Sequence, residues 1–492
     1  MQFISTRSRD IVASPAQAIA QGLAQDGGLF VPDSLPVVDS SFWKNHTGRY
    51  SDMAAKVMSL FFTDMDDLPG LCATVYHTNA FSSSKIAPVV MESDGELTLE
   101  LFHGPTAAFK DMALQILPGL MSRANALLGD DKKTCILTAT SGDTGKAALE
   151  GFANHPNTFV IVYYPDEGVS PIQRQQMVSQ QGNNVGVCAV KGNFDDAQTA
   201  VKKMFANPDF VQAMADRGYR LSSANSINIG RLVPQIAYYF HAYAELVNQG
   251  TVFTDEKLNF CVPTGNFGNI LAGLYAKQMG LPIDRLICAS NRNRVLTDVL
   301  TTGRYSLSRD FYVTTSPSMD ILVSSNFERA LHLLSGGDSE MVKALMQQLL
   351  SKGAFGMTID LMNEVSKNFA AYSCDDAETL TEIVKSYQET GKVFDPHTAV
   401  ARKCLREHRM IIGNKTKTVV LATASPYKFP ETMLKAFHLS ESDSLSSMRT
   451  LARHTKTEVP AGLSAVLEHP VRFTQVAEPD KLSEAALDFV GN

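Results

Sequence analysis

The sequence predicts an α/β protein with mainly parallel sheets, preceded by an accessory N-terminal domain. Three observations indicate this fold: short apolar runs rich in β-branched residues, helical patterns between those runs, and a first segment of different character. A run that is apolar throughout is typical of a strand buried on both faces, and helical crossovers make such strands parallel. The predicted strands are residues 134–140, 158–164, 185–190, 258–262, 285–289 and 418–422.

Helical periodicity fills several of the intervals between these strands. The predicted helices include residues 195–205, 232–248 and 270–279, and the last of these directly follows a glycine-rich turn. This alternation is βαβ architecture. The first hundred residues instead combine a helix-like stretch at 53–62 with turn-rich sequence, so we interpret them as an accessory domain. Residues 292–373 are helical and polar, and we predict no chemistry for them.

Length, composition and charge restrict the class of protein. A chain of 492 residues exceeds one ordinary core, so we expect two or three domains. Hydrophobic residues at 44% and charged residues at 19% are typical of a protein that buries a large apolar interior. The formal net charge of −7 argues against nucleic acid and against an anionic membrane surface as partners.

The cysteines and the apolar runs indicate in which cellular compartment the protein is expected. The 7 cysteines lack metal-like spacing, so we predict reduced, mostly buried thiols and no metal site. No run approaches the roughly 20 apolar residues of a membrane span. The first residues also lack the pattern of a secretory signal peptide, and we therefore expect a cytoplasmic protein.

Polar and glycine-rich clusters follow three of the predicted strands. They are SGDTG at residues 141–145, TGNFGN at 264–269 and SPYKF at 425–429. Open α/β sheets bind their ligands beyond the carboxyl ends of the strands. We therefore expect the three clusters to converge on one cleft.

The segment HGPTAAFKD at residues 103–111 places Lys110 after a turn and before an apolar helical pattern that begins at Met112. The partial positive charge of a helix N-terminus lowers the pKa of an ammonium group and favours the neutral amine that attacks a carbonyl. On its own, an exposed loop lysine explains this segment better. The assignment therefore depends on the other motifs.

The turn GNFGN at residues 265–269 lies between a predicted strand and a predicted helix. Its backbone N–H groups can bind a phosphate along the helix dipole, and glycine allows close approach. Taken alone, such a turn is as often an ordinary connection. The sequence has neither GxxxxGK[ST] nor a GxGxxG after a strand, so no motif indicates that the protein binds ATP or a dinucleotide.

Three further positions offer polar groups for a ligand. TATSGDTG at residues 138–145 can hold a carboxylate at a helix start, although simple N-capping explains it equally well. NSINIGR at residues 225–231 can bind a phosphate through Arg231, with a surface arginine in a turn as the simpler alternative. Thr423 ends the last strand, where its hydroxyl can meet a ring nitrogen or serve as a plain strand cap.

Together these motifs resemble the threonine synthase family, in its longer form with an N-terminal domain, within the tryptophan-synthase-β-like (fold type II) group of pyridoxal-phosphate enzymes. The resemblance covers nearly the whole chain, and the motifs stand in the family's order. They are ISTR, QDGGLFVP, HGPTAAFKD, TSGDTG, NSIN followed by Arg231, PTGNFGN and LATASPYKF.

The resemblance implies two open, mainly parallel α/β sheet domains with the cofactor, pyridoxal 5′-phosphate, in the cleft between them. We place the N-terminal accessory domain at residues 1–95 and the smaller substrate domain at 141–254. The large cofactor-binding domain then comprises residues 96–140 and 255–492, with 292–373 as a mainly helical insertion.

The resemblance also implies a role for each motif residue. Lys110 would carry the cofactor as a Schiff base and move protons, and Thr423 would hydrogen-bond the pyridine nitrogen. A neutral hydroxyl at that place leaves the ring nitrogen largely unprotonated. The residues implied to cradle the cofactor phosphate are Gly265, Asn266, Phe267, Gly268 and Asn269. Those implied to bind substrate are Thr140, Ser141 and Thr144 at its carboxylate and Asn225, Ser226 and Arg231 at its phosphate.

Asp143 is implied to border the 3′ oxygen of the cofactor. A carboxylate beside a phenolic oxygen must share a proton or be offset by a cation, for which Lys146 is the candidate. Many relatives in the wider group have Asn at this position, which leaves the role of Asp143 open.

The implied reaction converts O-phospho-L-homoserine and water to L-threonine and phosphate by γ-elimination and β-hydration. A threonine synthase-like phospholyase that releases phosphate and a 2-oxo acid stays open. The NSINIGR motif and the N-terminal domain argue against a dehydratase or a cysteine-synthase-like enzyme. A non-catalytic protein that binds a phosphate-bearing ligand is the alternative from another class, although every expected reactive position is filled. We expect a monomer rather than a homodimer.

Overall fold

The computed structural model describes residues 1–44, 46, 48–93, 95–140, 142–166, 169–413, 416–440 and 443–491, with the backbone alone at 194–195. Its centre consists of a six-stranded sheet and a five-stranded sheet, each packed against helices. This is the predicted α/β fold with two mainly parallel sheets. A small three-stranded antiparallel sheet of order β2-β1-β3 lies in the N-terminal segment.

The helices of the N-terminal segment pack against the long helix at Ile229–Asn248, which is α11 in chain order. Trp43, for example, lies with its ring centroid 6.0 Å from that of Phe240. The elements of this segment are β1 (Phe3–Ser5), β2 (Ser8–Ala13), α1 (Pro15–Gln21), β3 (Phe30–Pro32), α2 (Ser41–Lys44), α3 (Tyr50–Phe61) and α4 (Leu68–Val75).

The next part of the chain alternates strand and helix. Its elements are β4 (Val89–Ser93), β5 (Glu96–Glu100), α5 (Asp111–Leu114), α6 (Leu117–Leu128), β6 (Lys133–Ala139), α7 (Asp143–Phe152), β7 (Thr158–Pro165), α8 (Pro171–Val178), β8 (Val185–Val190), α9 (Phe194–Ala206), α10 (Pro208–Asp216), β9 (Tyr219–Ser222) and α11 (Ile229–Asn248).

The remaining part contains the other strands of the large sheet, a mainly helical insertion and the C-terminal helices. Its elements are β10 (Leu258–Pro263), α12 (Gly268–Gln278), β11 (Ile283–Ser290), α13 (Val295–Thr302), β12 (Arg304–Ser306), α14 (Phe327–Leu334), α15 (Ser339–Lys352), β13 (Ala354–Gly356), α16 (Ile359–Asn368), β14 (Phe369–Ser373), α17 (Asp376–Thr390), α18 (Pro396–Ile412), β15 (Thr418–Ala422), α19 (Pro430–Ala436), α20 (Ser444–Thr455), α21 (Ala461–Glu468), β16 (Val476–Ala477) and α22 (Leu482–Gly491), with 3₁₀ turns at Pro317–Met319, Pro426–Lys428 and Pro479–Lys481.

Polar caps mark the starts of many of these helices. Asp395 caps α18 and is followed by Pro396, whose fixed backbone angle suits the first helical turn. Asn228 caps α11, where its side chain accepts a hydrogen bond from the N–H of Gly230 at 2.9 Å. These local signals place the helix starts that face the centre of the molecule.

The six-stranded sheet has the order β14-β11-β10-β15-β5-β4, and all neighbours in it are parallel except β4 and β5. The five-stranded sheet has the order β16-β8-β7-β6-β9 and is parallel throughout. Its central strands β6, β7 and β8 are buried along nearly their whole length. Burial on both faces explains why their sequences are continuous apolar runs.

The six predicted strands correspond to β6, β7, β8, β10, β11 and β15, with ends that differ by at most two residues. The sequence pattern misses β5, although this strand lies inside the large sheet. The reason is that β5 buries polar side chains: Glu96 forms an ion pair with Arg402 at 2.7 Å, and Thr98 is fully buried. A search for apolar runs does not detect such a strand.

Two segments lie with a different sheet from the one predicted. The predicted boundary at residue 140 assigns β6 to the large domain, but its hydrogen bonds join it to β7 and β9. A parallel pair linked by one helix, here α7, is the ordinary βαβ crossover. The C-terminal β16 and α22, predicted within the large domain, also pack on the five-stranded sheet.

The described cysteines are all buried free thiols, as predicted. Burial raises their pKa, for instance that of Cys288 to about 12, so these thiols are poor nucleophiles. Among the helices that the structure describes, none is both long and apolar enough to cross a membrane.

Arg329 is a fully buried cation that joins three parts of the chain. Its guanidinium donates to the carbonyl of Phe30 in β3 at 2.9 Å and to that of Ile227 before α11 at 2.6 Å. A third bond, also 2.6 Å long, reaches the side-chain oxygen of Asn326 at the start of α14. The planar fork of an arginine thus holds the N-terminal segment, the α11 turn and the insertion together.

We predict that Arg329→Lys lowers the free energy of unfolding by roughly 2–4 kcal/mol, because a lysine cannot serve all three buried acceptors. Urea unfolding followed by circular dichroism measures the change. Arg304→Lys, at an exposed arginine of β12, is the matched control. Equal unfolding curves for the two variants would contradict this role of Arg329.

Candidate active site

A cavity of about 230 Å³ lies where strands of the two sheets end. Two of the three polar clusters line it, through Thr144 and through the glycine loop, while the SPYKF cluster follows the lining residue Thr423 and reaches Asp143 through Lys428. They come from two facing sheets, however, and not from one sheet edge. The lining residues include Lys110, Thr140, Thr144, Asn225, Ser226, Arg231, Gly265, Asn266, Phe267, Gly268, Asn269, Ser318, His397 and Thr423.

Backbone pairing positions Lys110 beside the turn after β15. The N–H of Phe109 donates to the carbonyl of Thr423 at 2.8 Å, and the N–H of Ser425 donates to the carbonyl of Ala107 at 3.0 Å. Lys110 itself is the N-cap residue of α5. Two segments more than 300 residues apart in sequence are therefore joined by an isolated antiparallel β-bridge between Ala108 and Ala424, with Lys110 and Thr423 in the same cavity.

The surroundings of Lys110 favour its neutral form. Burial is the largest cause of its lowered pKa; Asp143 raises the pKa, and Lys428 and Arg231 lower it further. The sequence argument predicted this direction but assigned it to a helix N-terminus. Because α5 has only 4 residues, desolvation rather than a helix dipole is the main physical cause.

The glycine loop between β10 and α12 presents its backbone to the cavity. Phe267 has a left-handed conformation with φ of 60°, and its side chain packs against Phe327 and Phe369 in the core. Only the backbone of Phe267 can therefore serve a ligand. The insertion braces this loop, because Ser324 donates to the carbonyl of Gly265 at 2.9 Å. Residues 292–373, for which the sequence predicted no chemistry, thus help to shape the site.

Asn269 gives an independent indication that this loop fits a phosphate group. Its side-chain oxygen accepts hydrogen bonds from Tyr238 at 2.6 Å and from Tyr239 at 3.0 Å. Its amide nitrogen is buried and has no hydrogen-bond partner among the described residues. The first N–H groups of α12 also lack intrahelical acceptors. A bound phosphate would satisfy these donors at a helix N-terminus.

Arg231 lies in the first turn of α11 and is buried at 4% exposure. Its guanidinium donates to the carbonyl of Ala224 at 2.9 Å, while Nε is buried without a partner. Within the described part of the chain no carboxylate lies at ion-pair distance, and burial lowers the Arg231 pKa to about 10. A buried cation without a counterion is costly unless an anion binds there.

The turn after β6 is held by its own hydroxyl group. Thr140 Oγ1 accepts hydrogen bonds from the N–H groups of Gly142 and Gly145, both at 2.9 Å. This hydroxyl therefore shapes the turn, and it keeps one hydrogen to donate into the cavity. Thr144 lines the same cavity, whereas Ser141 lies outside the described residues.

Asp143 is a buried carboxylate at the start of α7. It forms an ion pair with Lys428 at 2.7 Å and accepts hydrogen bonds from Gln173 at 2.8 Å and Ser318 at 3.1 Å. Burial alone raises the pKa of Asp143, but the charges of Lys428 and Lys110 outweigh it and hold the pKa well below its usual range. Asp143 is therefore ionised in this structure.

The counter-cation of Asp143 differs from the one expected. Lys146 was the candidate, but its ammonium group pairs with Glu150 one turn further along α7 at 2.7 Å. Lys428 is the counter-cation of Asp143 instead. Its position in the SPYKF motif is the only signal in the sequence that points to it.

Ser318 and His397 were not identified from the sequence. His397 Nδ1 lies 2.7 Å from Asp395 Oδ1, and its Nε2 accepts a hydrogen bond from the N–H of Ser318 at 3.1 Å. This arrangement makes Nδ1 the protonated nitrogen and directs the Ser318 hydroxyl to Asp143. No pattern in the sequence indicates that these distant segments meet.

Three family models match the chain in succession. "Threonine synthase N terminus" matches residues 2–76, "Pyridoxal-phosphate dependent enzyme" matches residues 97–424, and "Threonine synthase, C-terminal" matches residues 398–486. The second model alone covers more than half of the chain and includes Lys110, the glycine loop and Thr423.

Individual relatives agree with these models. The chain is 39% identical to Threonine synthase-like 1 of Macaca fascicularis, over 92% of this chain but only 62% of that protein's length. It is 38% identical to threonine synthase of Pseudomonas aeruginosa, over 89% of this chain and 90% of the relative. The solved structure of PLP-bound threonine synthase from Brucella melitensis superposes with a TM-score of 0.88 at 35% identity, covering 100% of both chains.

We predict that Gly265→Ala weakens binding of pyridoxal 5′-phosphate. An added Cβ would lie 2.9 Å from the carbonyl oxygen of Ser318, so the glycine loop or the Ser318 turn must move. Overpacking of this kind costs roughly 1–3 kcal/mol, or about 5- to 150-fold in affinity. Titration of the cofactor-free protein with cofactor measures the change.

Gly356→Ala in β13 is the control for this prediction, because a Cβ there has no heavy atom within 4 Å. Unchanged affinity in Gly265→Ala would show that the loop tolerates the displacement.

Proposed function

Since the chain belongs to the threonine synthase family of pyridoxal-phosphate-dependent enzymes, we propose that it converts O-phospho-L-homoserine and water to L-threonine and phosphate. One observation carries this proposal: Arg231 is a buried guanidinium that has no counterion among the residues the structure describes, and it lines the same cavity as Lys110. A phosphate-bearing amino acid would bring the missing negative charge to Arg231 and its amino group to the lysine.

The substrate phosphate would lie against the start of α11. Asn225 and Ser226 line the cavity with Arg231 and supply neutral donors beside the charged one. Ser226 is held by Ser325 of the insertion at 3.1 Å between the hydroxyl oxygens. These three residues would bind the phosphate that leaves during the reaction. They favour a substrate with a phosphate on its side chain over an unsubstituted amino acid.

The cofactor would occupy the part of the cavity between the glycine loop and Lys110. The loop at residues 265–269 would hold the cofactor phosphate, and Thr423 would offer its hydroxyl to the ring nitrogen. When bound, pyridoxal phosphate supplies an electron sink that stabilises negative charge on carbons of the substrate. Lys110 would carry the cofactor, as the resemblance implies.

Proton transfer is the task of Lys110 in this proposal. A buried amine with a lowered pKa can accept a proton from the α carbon of the substrate and return protons at neighbouring carbons. Thr140 and Thr144 would hold the substrate carboxylate, which fixes the position of those carbons relative to Lys110.

A threonine synthase-like phospholyase is the alternative that the sequence leaves open. The Threonine synthase-like 1 proteins match the chain about as well as the threonine synthases do, and the chain spans only 62% of the Macaca protein. Both activities would use Lys110 and Arg231 and differ in the fate of the substrate after phosphate leaves.

A cytoplasmic location and a monomeric state also stay predictions from the sequence.

We predict that the purified protein, incubated with O-phospho-L-homoserine, forms threonine and phosphate in equal amounts. Lys110→Ala abolishes both products, because the amine that moves protons is lost. Amino-acid analysis and a phosphate assay measure the products. Phosphate with 2-oxobutyrate and no threonine would identify a phospholyase, and absence of any reaction would leave the non-catalytic alternative.

We predict that Arg231→Gln raises the KM for O-phospho-L-homoserine by roughly 30- to 1000-fold, equivalent to about 2–4 kcal/mol for a lost buried charge contact. Steady-state kinetics with cofactor content monitored by absorbance measure it. Arg217→Gln, at an exposed arginine of the same sheet region, is the control. An unchanged KM would place the substrate phosphate elsewhere.

A further inference from the structure

A second buried lysine lies beside the active site, against Asp143, and is not explained by the roles proposed so far. Lys428 ends the 3₁₀ turn after β15 and is fully buried. Its ammonium group has two partners, Asp143 at 2.7 Å and the carbonyl of Thr106 at 2.8 Å. Burying a lysine is costly, and a buried ammonium group is retained only where its charge has a counterpart.

Asp143 stands between two lysines that hold it unequally. Lys428 Nζ lies 2.7 Å from Oδ1, whereas Lys110 Nζ lies 3.5 Å from Oδ2. The first contact is a full ion pair and the second is at the limit of a hydrogen bond. Gln173 and Ser318 occupy further acceptor positions of the carboxylate. The negative charge of Asp143 is thus directed mainly to Lys428.

This arrangement matters because attachment of a cofactor requires Lys110 to give up its charge. If Lys110 were the only cation beside Asp143, its deprotonation would leave a buried carboxylate uncompensated, which is strongly unfavourable. With Lys428 present, the pair of Asp143 and Lys428 is neutral by itself. Lys110 can then lose its proton without leaving unpaired negative charge behind.

We propose that Lys428 is a positioning residue for Lys110, the lysine proposed to carry the cofactor. Lys428 forms the ion pair with Asp143, and Lys110 can therefore become neutral without leaving that carboxylate unpaired. The inference rests on the proposed function in one respect, that Lys110 carries the cofactor. It adds a residue from the SPYKF motif whose task is electrostatic and which acts on Lys110 through Asp143.

Lys202 of α9 lines the same cavity as Lys110, but the charged groups that shift the pKa of Lys110 come from three other elements. Asp143 from α7 favours the protonated lysine, while Lys428 from the 3₁₀ turn and Arg231 from α11 favour the neutral one. His397 of α18 lines the same cavity and accepts a hydrogen bond from a backbone N–H, as a neutral imidazole does. Changing Lys428 therefore alters the balance through Asp143 and directly through like-charge repulsion.

The experiment measures the pH dependence of cofactor attachment, which requires neither substrate nor turnover. Cofactor-free protein is mixed with pyridoxal 5′-phosphate across a pH series, and covalent attachment is followed by visible absorbance. Attachment needs the neutral amine, so a higher pKa of Lys110 moves the midpoint to higher pH. In Lys428→Met we expect the midpoint to rise by about one pH unit or more, since Lys110 becomes the counterion of Asp143.

Lys146→Met is the matched control. Lys146 is also a buried lysine of the site region, but it pairs with Glu150 and does not contact Asp143. Its midpoint is expected to equal that of the unmodified protein. An unchanged midpoint in Lys428→Met, or an equal shift in Lys146→Met, would overturn the proposal.

If Lys428→Met does not fold, a second pair of variants tests the same proposal. Asp143→Asn is expected to lower the midpoint, because the carboxylate that favours protonated Lys110 is removed. Adding Lys428→Met to Asp143→Asn removes the repulsion from Lys428 and is expected to raise the midpoint again, while leaving a neutral pair that can be buried. Because the Asp143–Lys428 pair is neutral by itself, the double variant is expected to have a midpoint close to that of the unmodified protein. A double-variant midpoint far below that of the unmodified protein would overturn the proposal, because it would show that Asp143 acts on Lys110 as a charge that Lys428 does not neutralise.

These outcomes are separate from failure of the proposed function. Absence of threonine formation leaves the attachment titration readable. Attachment that persists in Lys110→Ala would instead show that another residue carries the cofactor, and this would remove the premise of both proposals.

Discussion

The excess of buried positive charge in the cleft is the constraint on which the active site depends. Lys428 and Arg231 are buried and the Lys110 side chain is only 12% exposed, and among the described residues Asp143 is the carboxylate that pairs with the two lysines. Buried cations destabilise a protein unless anions compensate them. A cleft of this kind is stabilised by anionic ligands, and a phosphate-bearing cofactor and a phosphate-bearing substrate are both suited to it.

The architecture brings these charges together from separate parts of the chain. Lys110 follows β5 and Lys428 follows β15, two neighbouring strands of the large sheet, while Asp143 begins α7, which packs on the five-stranded sheet, and Arg231 lies in the first turn of α11. Loops outside regular structure then hold the geometry, as the pairing of residues 107–109 with 423–425 illustrates.

The helical insertion at residues 292–373 supports the site mechanically. Ser324 and Asn326 contact the backbone of the glycine loop, and Ser318 contacts Asp143. Arg329 connects the same insertion to the N-terminal segment and to the turn before α11. A segment with no recognisable motif thus supports both the glycine loop and the turn before α11. Its role depends on backbone and hydroxyl contacts, which many sequences can provide.

The sequence by itself determined the strands buried on both faces, the order of the motifs and the candidacy of Lys110, because apolar runs and glycine-rich turns are local properties. Only the tertiary structure decided that β6 belongs to the five-stranded sheet, that Lys428 rather than Lys146 neutralises Asp143, and that desolvation rather than a helix end lowers the pKa of Lys110. Sheet pairing, ion pairing and burial are relations between residues far apart in the chain. They arise from packing, which no local pattern of residues specifies.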